Sequence, residues 1–332
     1  MLPIIILMII GFALLIKGAD WLLKGAIGIA KKSHISEILI GIVIVGIGTS
    51  LPEIIITIKS AITGNTDLIL GNAIGSSICN LLLVMGIASL CSPIKIDERI
   101  SKIHIPISFI SVWLLSFLAN KAFQPGYLNK KEGIILLVFT IIYLIYTVIE
   151  AKRENETNEE KIRKEIEADN RNKKKTSILQ IILYIVLGSV CLNYGADFVV
   201  DGAVKIAEAF NVTTVVISMT IIAVGTALPE IVTSILATIK DDSDLAMGNI
   251  IGSNIFNLAL LPSIGAIIKP IQFDNSLNVS LLFLSWIIFG LYLSTNVANK
   301  SSTIGRKKGG VLVIVYVIYS ISLVFNIFSL TV

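Results

Sequence analysis

The chain is short of charge. Only 15% of its 332 residues are Asp, Glu, Lys or Arg, against 55% hydrophobic residues and a mean hydropathy of +0.87. A soluble protein of this length needs far more charge to cover its surface. Residues suited to covalent, redox or metal chemistry are also scarce. The three cysteines, Cys79, Cys91 and Cys191, lie in or beside apolar stretches and form neither a disulfide framework nor a metal-type spacing. The two histidines, His34 and His104, fall in expected loops, which argues against zinc or copper. There is no nucleophile–base set, nucleotide loop or cofactor motif, so an enzyme is the least favoured reading and no cofactor is expected. The net charge of +4 is spread over short loops and one mixed-charge segment, which excludes a nucleic-acid surface. Nothing marks an obligate protein partner.

What the chain has is long apolar runs. Ten segments are expected to span a bilayer, at about 2–22, 36–62, 68–90, 103–120, 133–150, 178–200, 213–239, 245–268, 277–295 and 310–330. Runs of this length are helices rather than barrel strands. The first lacks a basic start and a small-residue cleavage site, and its equivalent recurs at 178–200, so it is expected to be retained. Residues 151–177 are rich in Lys, Arg, Glu and Asn and cannot build a core. The expected organisation is therefore a five-helix half at 1–150, a charged linker at 151–177 and a second five-helix half at 178–332. Lys59, Lys121, Lys130, Lys131, Lys205 and Lys269 fall on one side of the membrane, and all other basic residues except Lys17 fall on the linker side. Basic residues favour the cytoplasm, so the linker is expected on the cytoplasmic side of the cell membrane and both ends of the chain outside.

The halves repeat one another. Gly-Thr-Ser-Leu-Pro-Glu at 48–53 returns as Gly-Thr-Ala-Leu-Pro-Glu at 225–230, and Gly-Asn-x-Ile-Gly-Ser at 71–76 returns at 248–253. The offset is 177 throughout, and Asp20 and Asp197 share it. Between 44–80 and 221–257, 18 of 37 positions are identical, including polar residues that chance likeness among apolar segments would not match. Five spans per half is an odd number, so the second half enters from the opposite side. The expected fold is all-α, with ten transmembrane helices in two inverted-topology repeats, an arrangement suited to alternating access.

The polar residues of the repeats fall at one depth. Glu53 lies eleven residues before the turn at Gly64 and Ser76 twelve after it. At about 1.5 Å per residue both sit roughly 16–18 Å deep, near the middle of the hydrocarbon layer. Glu230 and Ser253 repeat this around Asp241. Asn80 and Asn257 follow the serines by one helical turn and share their face. Pro52 and Pro229 remove backbone donors, which frees carbonyls around 46–49 and 223–226. Carboxylates, carbonyls, hydroxyls and amide oxygens are hard ligands that suit Ca²⁺ and Na⁺. Plainer roles are expected elsewhere. Gly71, Gly75, Gly248 and Gly252 should serve close helix packing. Thr57 and Ser234 should bond back to the preceding turn. Asp20 and Asp197 should anchor helix ends, with Lys17 as a local partner of Asp20.

These motifs resemble the two α-repeats of the cation/Ca²⁺ antiporter superfamily, most closely its prokaryotic Na⁺/Ca²⁺ exchanger branch, and the resemblance covers both halves. The H⁺/Ca²⁺ branch has Gly-Asn-x-x-Glu in place of Thr-Ser-x-Pro-Glu, a form absent here. The resemblance implies that Glu53 and Glu230 coordinate Ca²⁺ with the backbone carbonyls of Thr49 and Thr226. It implies flanking Na⁺ sites at Gly46, Thr49, Ser50, Glu53 and Ser76, and at Ala223, Thr226, Ala227, Glu230 and Ser253, with Asn80 and Asn257 completing the ring. Two residues depart from the family: Ala227 stands where serine is usual, and Asn257 where some members carry Asp. The implied activity is antiport, with Ca²⁺ exported on the inward Na⁺ gradient. The alternatives are a Ca²⁺/H⁺ antiporter using the same glutamates and, less favoured, a cation channel or a Ca²⁺-gated sensor.

Overall fold

The computed structural model describes residues 2–33, 35–121, 126–157, 177–210, 223–296 and 302–324. The expected linker beyond 157, the first part of the span at 213–239 and the end of the span at 310–330 lie outside the described residues, as does His34.

The elements in chain order are helices α1 (Leu2–Ser33), α2 (Glu37–Thr49), α3 (Leu51–Thr63), α4 (Asp67–Cys91), α5 (Ile100–Asn120), α6 (Lys130–Thr157), α7 (Ile178–Ala209), α8 (Leu228–Ile239), α9 (Ser243–Ile268), α10 (Leu277–Asn296) and α11 (Arg306–Val324). Among the described residues seven helices are long and apolar enough to cross a membrane, and α2 with α3 make an eighth span, bent by 50°. Two short antiparallel pairs tie the two halves of the chain together. Ile94–Ile96 (β1) pairs with Ser302–Ile304 (β4), and Tyr127–Leu128 (β2) pairs with Ile271–Gln272 (β3).

The apolar segments are not equally buried. In α4 and α9, 78% and 83% of the apolar window is covered by protein, against 22–28% in α1, α6, α7 and α10. The repeat helices that carry the serines and asparagines are thus central, and the others present apolar faces outward. One large core joins α4 and α9 to α5, α6, α10 and α11, with Phe256 among its largest fully buried side chains. A second, smaller core joins α1 and α7 to parts of α2, α8 and α9. The α1–α7 contact runs backbone to backbone: a Cβ on Gly11 would stand 2.8 Å from the Gly195 carbonyl, and one on Gly18 2.8 Å from that of Gly188.

The turns obey the repeat. Gly64 closes α3 with φ +88°, and Asp241, its equivalent after α8, has φ +61°. Asp tolerates the left-handed region better than most residues because its short side chain bonds locally.

Several expectations need correction. Helix α1 runs on to Ser33 with Lys31 and Lys32 in its last turn, where cations complement the helix dipole. Helix α6 continues to Thr157, since nothing in Ala-Lys-Arg-Glu-Asn-Glu-Thr breaks it. Asp20 is bridged by Lys24 and Lys240, both at 2.7 Å, rather than by Lys17, which is exposed. Helical spacing of four and the approach of the α8–α9 turn decide this. His104 is not in a loop. It is 1% exposed inside α5, with Nδ1 3.2 Å from the Tyr143 hydroxyl and Nε2 3.5 Å from Glu150.

The glycine expectation divides. Gly248 and Gly252 press on α2, where added Cβ atoms would meet the Ile38 carbonyl at 2.7 Å and Ile42 Cα at 2.8 Å. Gly71 and Gly75 meet no atom of a described residue within 4 Å, and the second-half segment equivalent to their expected partner lies outside the described residues. Gly252→Val therefore pushes α9 against backbone that cannot rotate away. We expect a loss of about 1–3 kcal/mol, read as a lower melting temperature of the detergent-solubilised protein.

Candidate functional site

The site is built on two broken helices. Helix α2 stops at Thr49 and α3 starts at Leu51, with Pro52 in its first turn. Proline is tolerated there because that N–H has no helical partner, and its absence leaves the Gly48 carbonyl without the usual donor. Ser50, at the break, has φ −83° and ψ 11°. In the second half a helical turn at Ala223–Gly225 is followed by α8, with Pro229 in its first turn and Ala227 at φ −87° and ψ 1°. The two breaks share a backbone conformation and differ in a side chain.

Each break brings a glutamate to the first turn of a helix. Glu53 and Glu230 are both 1% exposed, and each carboxylate accepts from its own backbone N–H. A helix N-terminus favours negative charge through its unpaired N–H groups. Neither glutamate has an ion-pair partner among the described residues. Across the site, α4 and α9 both change from α- to π-helical winding, at Asn80–Val84 and Phe256–Leu260. Asn80 opens the first of these turns and Asn257 lies in the second. A π turn widens the helix by one residue and is common at functional sites.

Contacts between the halves define the assembly. Ser50 Oγ donates to Glu230 Oε1 at 3.5 Å, and Ser253 Oγ donates to the Gly46 carbonyl at 3.4 Å. Thr49 lies against the Glu230 carboxylate. The two carboxylates act on each other electrostatically, and both act on Cys79, the neighbour of Asn80. Gly46, Thr49, Ser50 and Glu53 from the first half thus meet Glu230 and Ser253 from the second. Ser76, Asn80 and Asn257 are buried, and among the described residues their side chains make no hydrogen bond to the residues that meet there. Thr226 is half-buried and follows the helical turn that Ala223 begins.

Four oxygens give the site its chemistry. Glu53 Oε2, Glu230 Oε2, Asn80 Oδ1 and Asn257 Oδ1 are buried without a hydrogen-bond donor among the described residues. Buried acceptors are normally paired, and leaving one bare costs about 1–3 kcal/mol, more for a charged group. They are also the atoms that ligate hard cations. The residues present therefore fit a Ca²⁺ or Na⁺ ion, with two carboxylates to balance its charge.

One residue escaped the sequence argument. Asn249 was noticed only as part of a motif, yet it bonds to both broken helices: it accepts from Thr49 Oγ1 at 2.9 Å and donates to Ser234 Oγ at 3.1 Å. Ser234 was expected to bond only within its own helix. The available signal was the Gly-Asn pair itself, repeated in register at Asn72 and Asn249.

Comparison with known proteins agrees with this architecture. The family described as sodium/calcium exchanger protein matches residues 3–149 and 180–325. An uncharacterized membrane protein of Methanocaldococcus jannaschii is 32% identical over 95% of this chain and 96% of its own. The inner membrane protein YrbG of Escherichia coli is 31% identical over 86% of this chain and 87% of its own. A sodium/calcium exchanger of Methanosarcina acetivorans is 26% identical over 96% and 97%. The solved structure of the sodium-calcium exchanger NCX_Mj, soaked with zero Na⁺ and Ca²⁺, superposes with a TM-score of 0.80 at 30% identity, covering 96% of this chain and 98% of that one. With both halves matched and near-complete coverage of these relatives, the chain belongs to the sodium/calcium exchanger protein family.

Proposed function

We propose that this protein is a secondary active antiporter that exports Ca²⁺ across the cell membrane in exchange for Na⁺, by alternating access. The observation that carries it is the pair of buried glutamates, one from each repeat, each with an unpaired oxygen and neither with a cationic side chain beside it among the described residues. Family membership supports it, as does the likeness to exchangers of Na⁺ and Ca²⁺. The fold we propose has ten spans in two inverted halves, 1–150 and 178–332, joined by a cytoplasmic linker at 151–177. Both ends of the chain then lie outside. The strand pairs support this arrangement, because β1 with β4 and β3 with β2 are equivalent pairings under the 177-residue offset.

Coupling follows from charge. Two carboxylates carry −2, which one Ca²⁺ balances. Glu53 and Glu230 hold the Ca²⁺ with the carbonyls of Thr49 and Thr226. Na⁺ ions take the same glutamates together with flanking oxygens at Gly46, Ser50, Ser76, Asn80, Ala223, Ser253 and Asn257. Competition for two carboxylates excludes Ca²⁺ and a full Na⁺ set at once. The bare site is penalised by several kcal/mol per buried charge, so the charge-balanced states are the ones that cross between the two faces.

The decisive variants are Glu53→Gln and Glu230→Gln, made separately. Each keeps shape and removes one charge. Each should abolish Ca²⁺ exchange in proteoliposomes while membrane insertion and monodispersity stay normal, and full activity in either excludes a shared two-carboxylate site. The driving ion is read from Ca²⁺ uptake into inverted vesicles. Dependence on a Na⁺ gradient, insensitive to a protonophore, is the expected result. Uptake that follows the proton gradient and ignores Na⁺ assigns the same glutamates to Ca²⁺/H⁺ exchange. Ser50 reaches Glu230, whereas Ala227 has no hydroxyl to offer at the equivalent place. Ala227→Ser should therefore change the apparent Na⁺ affinity, measured as half-saturating Na⁺, with little change in that for Ca²⁺.

A further inference from the structure

Asn249 has no part in the exchange as proposed above, yet it is fully buried on α9, one helical turn before Ser253. Its Nδ2 donates to Ser234 Oγ, which leaves Oδ1 facing Thr49 as an acceptor. A hydroxyl has one proton and two lone pairs. The Thr49 proton has three acceptors in reach: Asn249 Oδ1 at 2.9 Å, the Gly46 carbonyl at 3.3 Å and the Glu230 carboxylate against which the side chain lies. The short contact to Asn249 takes it. The lone pairs of Thr49 Oγ1 are then left for the side of the site. Without Asn249, the same hydroxyl would turn its proton onto Glu230, in a charge-assisted bond that competes with any cation for that carboxylate.

We propose that Asn249 is a positioning residue of the cation site: by accepting the Thr49 proton it makes Thr49 Oγ1 a cation ligand instead of a donor to Glu230. The inference rests on Glu53 and Glu230 being the cation site. The placement of the bond carries the argument: Asn249 reaches Thr49 at 2.9 Å, and the same Thr49 side chain lies against Glu230.

The test is radiolabelled Ca²⁺ flux in proteoliposomes for Asn249→Ala, Thr49→Val, the double variant and Thr49→Ser. The two single changes should each raise half-saturating Ca²⁺ about tenfold, the scale of one lost ligand, and the double variant should be no worse than either. Thr49→Ser keeps the hydroxyl and should give a lower half-saturating Ca²⁺ than Thr49→Val. Effects that multiply in the double variant overturn the proposal, as does a fall in maximal rate at unchanged half-saturation. If Asn249→Ala does not yield monodisperse protein, the Thr49 pair decides: parent-like half-saturation in Thr49→Val shows that the hydroxyl is no ligand. Activity in Glu53→Gln or Glu230→Gln would instead remove the site on which the inference rests. Inactive glutamine variants beside a parent-like Asn249→Ala sink only the role given to Asn249.

Discussion

Two carboxylates are held out of water with no cationic side chain beside them among the described residues. The rest of the structure is organised around that cost. A salt bridge would neutralise either glutamate and make it inert. Instead each sits in the first turn of a helix, where backbone N–H groups give partial relief, and each keeps one oxygen bare. The broken helices exist because proline forces a new start at both places. The π turns beside them keep Asn80 and Asn257 in the most buried helices of the molecule. A polar centre of this kind is stable only inside a shell of apolar helices, and the outward faces of α1, α6, α7 and α10 form that shell.

The halves are copies in sequence and unequal in detail. Ser50 and Ala227 share a backbone conformation, but only Ser50 offers a hydroxyl to the opposite glutamate. Gly248 and Gly252 let α9 touch α2 backbone to backbone, while Asn249 ties α9 to Thr49 and Ser234. In the first half Asn72 Nδ2 and Thr57 Oγ1 find no such partners among the described residues. A transporter that works from both sides of a membrane needs equivalent machinery on each. It does not need both copies in the same arrangement at the same moment.

Much of the site was legible before any coordinates. Glu53 and Glu230 could be paired because a costly residue was repeated at a fixed offset, and burial depth followed from counting residues to Gly64 and Asp241. Helix ends were less legible. Helices α1, α6 and α7 outrun their apolar segments because helix propensity does not stop where hydrophobicity does. Lys24 and Lys240 displaced Lys17 beside Asp20 because one partner arrives from the α8–α9 turn, more than 200 residues away. His104 looked like a loop residue because the segment just before it, 97–102, is mostly polar. Its burial depends on Tyr143 and Glu150, which lie on another helix.

Composition and the internal repeat alone determined that the chain is a membrane protein and which two repeated acids would be buried, since the free energy of burying apolar length and charge depends on residue type and spacing. Which oxygen faces which is a different matter. That Ser50 reaches Glu230, that Ser253 reaches Gly46, and that Thr49 gives its proton to Asn249 were decided by tertiary structure alone. A hydrogen bond forms within a few tenths of an ångström, and no spacing along the chain specifies how closely two helices approach.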